Sequence, residues 1–174
     1  MDFNRNWNDY RDGFGDVAHE HWLGNSLLHV MTSTDSNNRN YTLRIDLSDW
    51  QGGQRHAVYS GFRIASECDN FKLDFDAFVA SESNVGDSLS AHNGMQFSTA
   101  DRDNDINQSG ACATNHGGQG GFWFHACFNV GANNPYASSS DEFQNSENNR
   151  IRWDAWHGTR YSLKTFQMMM RPTD

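Results

Sequence analysis

Between about Ser81 and Asn149 the chain is dominated by Gly, Asn, Ser and Asp, and its apolar side chains stop recurring with any fixed period. Such a stretch supports neither a long helix nor a long strand, so a large share of the 174 residues must pack as irregular structure. Loops of that length inside a compact domain need a function or a brace to order them. Two braces lie within the stretch itself. Cys112 and Cys127 flank an Asn/Gly-rich run ending in Phe122-Trp123-Phe124, and an acidic run, Asp101-Arg102-Asp103-Asn104-Asp105-Ile106-Asn107, precedes them.

The remainder reads as regular structure. From Glu20 to Thr32, Trp22, Leu23, Leu27, Leu28, Val30 and Met31 recur at helical spacing, interrupted by Gly24. Tyr41, Leu43, Ile45 and Leu47 alternate with polar residues, the period of a half-buried strand, and Asp49-Trp50-Gln51-Gly52-Gly53 is a turn signal. His56–Ile64 and Phe71–Ala80 continue in that style, and Tyr161–Met168 alternates again. The expectation is an α+β fold: a twisted antiparallel meander with short helices. Residues 1–80 and 161–174 would form a sheet subdomain, and 81–160 a loop-rich one inserted between its strands.

Alternate carboxylates in a flexible loop direct oxygens at one centre, which suits calcium and its six to eight oxygen ligands. The run is not an EF-hand, because Ile106 and Cys112 stand where that loop needs Gly and a bidentate Glu. The alternative is a solvated acidic turn bonded to its own backbone. A Cys112–Cys127 bridge would close the following loop, worth roughly 3 kcal/mol by chain entropy; the alternative is a pair of reduced, buried thiols. Cys68 is then the odd cysteine, with nothing adjacent in sequence to activate it. The formal charge of -9, from 22 acidic against 13 basic residues, repels nucleic acid and anionic membranes. No apolar run approaches the roughly 20 residues of a membrane helix, and any export signal is expected to lie outside the chain. Two glycosylation sequons start at Asn40 and Asn107.

Gly86-Asp87-Ser88-Leu89 spells an esterase nucleophile motif, and Asp154-Ala155-Trp156-His157 spells a matching Asp-x-x-His. That serine should follow a buried apolar strand in a parallel α/β fold, and here Ser81-Glu82-Ser83-Asn84-Val85 precedes it. A hydrolase is therefore the third-ranked reading. The eight histidines show no zinc spacing. The aromatic groups at 122–124 and 153–156 read first as core residues and second as ligand-stacking ones.

These residues together resemble the fibrinogen C-terminal domain family, which includes ficolins, tachylectins and angiopoietins. The likeness runs from Asn6-Trp7-Asn8-Asp9-Tyr10-Arg11-Asp12-Gly13-Phe14-Gly15 through Gly86-Asp87-Ser88-Leu89 and His92-Asn93-Gly94-Met95-Gln96-Phe97-Ser98-Thr99. It closes at Tyr161-Ser162-Leu163-Lys164 and Arg171-Pro172. The esterase spelling is an ordinary feature of that family. The resemblance implies a calcium site on the side chains of Asp103 and Asp105 and the carbonyls near Asn107 and Ser109. It also implies a Cys112–Cys127 disulfide, a cis peptide at Ala126-Cys127, and a ligand pocket at His116, Phe128, Glu147 and Asn148. The chain departs from acetyl-binding members at Phe128, at Phe122-Trp123-Phe124 and at His116. The family's N-terminal subdomain is not represented.

The resemblance implies a secreted, non-enzymatic and calcium-dependent module that binds glycans or acetyl groups in an immune or adhesive role. The alternative is a protein-binding module of the angiopoietin type. Oligomerisation of a longer parent would add avidity.

Overall fold

The computed structural model describes residues 1–33, 39–114, 120–139 and 150–173. Its central sheet has four antiparallel strands, in the spatial order Thr165–Thr173, Asn40–Ser48, Gln54–Ser60 and Ala77–Phe78. In chain order the elements are α1 (Trp7–Asp12), β1 (Phe14–Gly15), β2 (His21–Trp22), α2 (Asn25–Thr32), β3 (Asn40–Ser48) and β4 (Gln54–Ser60). There follow β5 (Arg63–Ile64), β6 (Leu73–Asp74), β7 (Ala77–Phe78), β8 (Val130–Gly131), β9 (Arg152–Trp153), α3 (Asp154–His157) and β10 (Thr165–Thr173). The sheet thus draws its strands from residues 40–78 and from the C-terminus.

β3 forms where the period-two alternation predicts it, with Leu43, Ile45 and Leu47 buried. Asp49 closes the hairpin to β4: its carboxylate accepts from the amides of Gln51 (3.0 Å) and Gly53 (2.6 Å). Burial would raise its pKa, but these two amides and the His157 side chain together hold it below the usual carboxylate range. β10 runs the full length of β3, from Thr165 opposite Ser48 to Thr173 opposite Asn40. The C-terminal strand therefore starts and ends later than the predicted Tyr161–Met168.

Three other expectations are corrected. The helix occupies Asn25–Thr32 and not the whole of Glu20–Thr32, since His21–Trp22 pairs as a strand with Phe14–Gly15. Gly24 sets the boundary: at φ 100°, a side chain there would meet the Asp12 carbonyl at 2.9 Å. His56–Ile64 breaks into β4 and β5 at Gly61, and β5 leaves the main sheet to pair with β6. Phe71–Ala80 is no continuous strand either. Asn70 and Phe71 both have left-handed backbone, at φ 52° and 48°, and only Ala77–Phe78 reaches β4. For a residue as bulky as Phe71 this conformation is an outlier that its surroundings must enforce.

The stretch after residue 80 contains, among the described residues, short 3-10 turns, two-residue strands and isolated bridges such as Ser98 with Phe122. It is nevertheless densely packed. Trp123, Phe97, Phe122 and Phe124 are almost fully buried, and Trp123 packs on Phe97 and Trp22. The Trp123 indole donates to the Phe71 carbonyl at 2.7 Å. Beneath this lies His92, fully buried, with Nδ1 2.7 Å from the Trp123 carbonyl, while Nε2 accepts from the amides of Asn129 and Val130. This pattern fixes a neutral ring protonated on Nδ1.

Ile45 lies between Met168 of β10 and Ala57 of β4 with no exposure. Ile45→Ala is expected to cost about 2–5 kcal/mol, read by chemical denaturation. Burial, with smaller contributions from the charges of His125 and Arg152, lowers the His92 pKa to about 4, against the opposing pull of the Trp123 carbonyl. The unfolded chain, titrating near 6.5, therefore binds the proton first as pH falls. Stability is full above that value and is lost between about pH 6.5 and 4, by about 2 kcal/mol at pH 5. Unfolding free energies at pH 7 and 5 check this, and His92→Gln is expected to flatten the difference.

Candidate functional site

The acidic run is split by the fold into two pairs facing different ways. Thr99 and Arg102 bond reciprocally across a tight turn, N to O at 2.9 and 3.1 Å. That turn directs Asp101 and Arg102 toward the N-terminal helix. Asp101 Oδ1 accepts from the Trp7 amide at 3.0 Å and from the Thr99 hydroxyl at 2.7 Å. Asn104 is pinned by its amide to Ser98 Oγ and by its side chain to the Phe97 carbonyl.

Asp103 and Asp105 lie beyond that pin. Asp103 Oδ1 accepts from the Asp105 amide at 3.2 Å, and Asp105 accepts from the amides of Asn107 (2.8 Å) and Cys112 (2.7 Å). Burial raises the Asp105 pKa, the two amides oppose it, and the neighbouring Asp103 raises it further. Neither carboxylate joins a salt bridge among the described residues. The side chain of Asn107 is spent inside the loop: it accepts from the Ser109 amide and hydroxyl and donates to the Gly110 carbonyl. What residues 107 and 109 offer to an ion is therefore backbone oxygen. Two crowded carboxylates with no cationic partner among the described residues, followed by loop carbonyls, could hold a hard, oxygen-seeking cation. Among the described residues no three His, Cys, Asp or Glu side chains converge as a metal cluster, so an ion held by this loop would take its remaining ligands from backbone oxygen or water.

The loop is closed by the Cys112–Cys127 disulfide, with Cα atoms 5.4 Å apart. The bridge fastens the end of the acidic loop to the aromatic segment, and the Ala126-Cys127 peptide is cis. Phe128, a predicted pocket residue, is only 6 % exposed. It packs on Phe124, and the Arg152 guanidinium lies 5.0 Å from its ring and donates to its carbonyl. Arg152 in turn pairs with Asp154 at 3.1 Å. The other predicted pocket residues, His116, Glu147 and Asn148, lie outside the described residues.

The esterase letters do not assemble. Ser88 is 5 % exposed and its hydroxyl accepts from the Ala155 amide, while Asp87 accepts from the Tyr59 hydroxyl and from the amides of Leu89 and Ser90. His157 reaches Asp49, at 3.2 Å, and not Ser88. Cys68 is an exposed free thiol on a 3-10 turn.

Sequence reasoning missed a second feature, a hollow of about 870 Å³ beside the sheet. Trp22, Met31, Leu43, Phe166, Met168 and Met170 line it, and Glu20 and Lys164 stand among its polar groups. Alternation of Phe166, Met168 and Met170 along β10 was the available signal. It also missed the roles of Trp7, Arg102 and His92: they stand in the quoted motifs and the acidic run, but their partners lie far away in sequence.

The fold is shared with known proteins. The family described as fibrinogen beta and gamma chains, C-terminal globular domain, matches residues 1–173. Fibrinogen-like protein 1 of Bos taurus is 37% identical over 191 residues, covering 99% of this chain and 56% of that protein. Angiopoietin-4 of Bos taurus is 37% identical over 173 residues, covering 99% of this chain and 32% of its own. The chain thus spans little more than half of these relatives, or less. Among solved structures, the fibrinogen-like globe domain of human ANGPTL2 superposes with a TM-score of 0.89 at 35% identity, over 99% of this chain and 74% of that one. Lamprey fibrin D-dimer, complexed with the peptide ligand Gly-His-Arg-Pro-amide, gives 0.86 at 30% identity, over 98% and 57%. With its sheet, its disulfide-closed loop and its acidic turn in place, this chain belongs to the fibrinogen C-terminal domain family.

Proposed function

We propose that the chain is an extracellular, non-enzymatic recognition module whose partner is a protein or peptide, and whose acidic loop is ordered by calcium. The observation that carries the choice of partner is the likeness to a fibrin D-dimer complexed with a peptide, together with the angiopoietin and ANGPTL2 relatives. The hollow beside the sheet supports the same reading, since its lining of Trp22, Phe166, Met168 and Met170 has the aromatic and methionine enrichment of a protein-interface core. The disulfide suits an oxidising, extracellular setting. A glycan-binding, lectin-like role is the weaker reading. Phe128, one of its four expected pocket residues, is enclosed by Phe124 and Arg152 and offers little surface to a sugar.

When bound, calcium would neutralise the Asp103–Asp105 crowding and hold the loop carbonyls inward. The residues of the chain supply the rest: Asn107 and Cys112 fix the Asp105 carboxylate, and the disulfide fixes the far end of the loop.

Two measurements test this. Calcium at about 100 times its dissociation constant is expected to stabilise the fold by about 2.7 kcal/mol, or about 5–10 °C in melting temperature at this chain length. Asp103→Ala and Asp105→Ala are expected to abolish that gain, and the wild type showing none would exclude the ion. For the partner, the chain is to be screened against extracellular protein ectodomains and against a glycan array, both with calcium present. Capture of an ectodomain that free sugars do not displace is the expected result, whereas binding confined to the glycan array would reverse the assignment.

A further inference from the structure

The first two residues of the acidic run form a clamp on helix α1, and nothing in a calcium-loop reading accounts for it. Asn6 caps the helix conventionally, its side chain accepting from the Asp9 amide at 2.9 Å. The amide of Trp7, one of the donors a helix leaves unsatisfied at its start, is instead taken by Asp101, 94 residues further along the chain. A carboxylate at a helix N-terminus also interacts favourably with the positive end of the helix dipole.

Arg102 completes the clamp from the other side. Its guanidinium carbon lies 3.9 Å from the Trp7 ring centroid, and Nη2 donates to Asn70 Oδ1 at 2.6 Å. The Trp7 indole donates to Glu67 at 2.7 Å, and Glu67 stands 3.9 Å from Arg102 Nη1. The Trp7 ring further stacks on Phe71. The only positively charged side chain in the run is therefore turned away from Asp103 and Asp105 and held against an aromatic face. Directed at the carboxylates, the same guanidinium would compete with a cation.

We propose that Trp7, Asp101 and Arg102 are positioning residues of the calcium loop, so that docking of α1 and occupation of the loop by calcium favour one another. This rests on the calcium reading above. The coupling has a short path: the Thr99–Arg102 turn is one residue from Asp103 and three from Asp105, and the clamp fixes where that turn sits. Thermodynamic reciprocity then requires that calcium protect α1 to the same degree that α1 improves calcium affinity.

The test uses the 174-residue chain with calcium chloride as the probe and reads two quantities. Calorimetric titration gives the calcium dissociation constant, and the rate of trypsin cleavage after Arg11, inside α1, reports undocking of the helix. Calcium is expected to slow that cleavage in the wild type. Asp101→Ala is expected to weaken calcium at least about fivefold and to remove the protection. Arg102→Gln, made on a side chain 41% exposed and so less able to compromise folding, is expected to do the same in smaller measure. Unchanged affinity in both variants, or wild-type cleavage indifferent to calcium while calcium still binds, overturns the clamp and leaves the calcium reading intact. A wild type that binds no calcium overturns both.

Discussion

The fold depends on the attachment of its irregular half to its sheet, and that attachment centres on Trp123. Its indole donates to the Phe71 carbonyl, and its ring sits among Phe97, Phe122 and Trp22. Around this point residues 70–73 bond with 94–97: Leu73 donates to Met95, Gly94 to Leu73, and Phe97 to Asn70. The left-handed backbone at Asn70 and Phe71 makes this possible by turning the chain so that the Phe71 carbonyl faces the indole while the Phe71 ring faces Trp7. Strain of about 1–3 kcal/mol at such a position persists only where the surroundings enforce it. Here several buried aromatic rings do so.

The site follows from that attachment. Once residues 97–99 are fixed against the aromatic cluster, the Thr99–Arg102 turn can divide the acidic run, with Asp101 and Arg102 going to α1 and Asp103 and Asp105 to the loop. The disulfide then returns the loop to the same cluster through Phe124 and Phe128. Electrostatics and packing therefore act on one short segment. Repulsion between neighbouring carboxylates is tolerable only because hydrogen bonds from fixed amides hold them, and those amides are fixed because the segment is strapped at both ends.

Much of this was legible in the residues. Alternation marked β3, the Asp49–Gly53 signal marked its hairpin, and the family motifs pointed to the disulfide and to the acidic loop. The errors share one cause: local periodicity cannot register a conformational break that tertiary contacts impose. Gly24 and Gly61 carried a visible hint of such breaks, whereas Asn70-Phe71 carried none, because an aromatic residue in left-handed backbone contradicts its own propensity. The pairing of Trp7 with Asp101 spans 94 residues and could be found only in three dimensions. The hollow beside β10 depends likewise on how the N-terminal segment and α2 meet the sheet.

If the aromatic attachment governs the whole domain, its two halves cannot open separately. Native-state hydrogen exchange in low denaturant measures this directly. The amides of Phe97 and Phe122, bonded to Asn70 and Ser98, are predicted to share one opening free energy with the amides of β3. Exchange of Phe97 and Phe122 through a cheaper opening that leaves β3 protected would contradict the account.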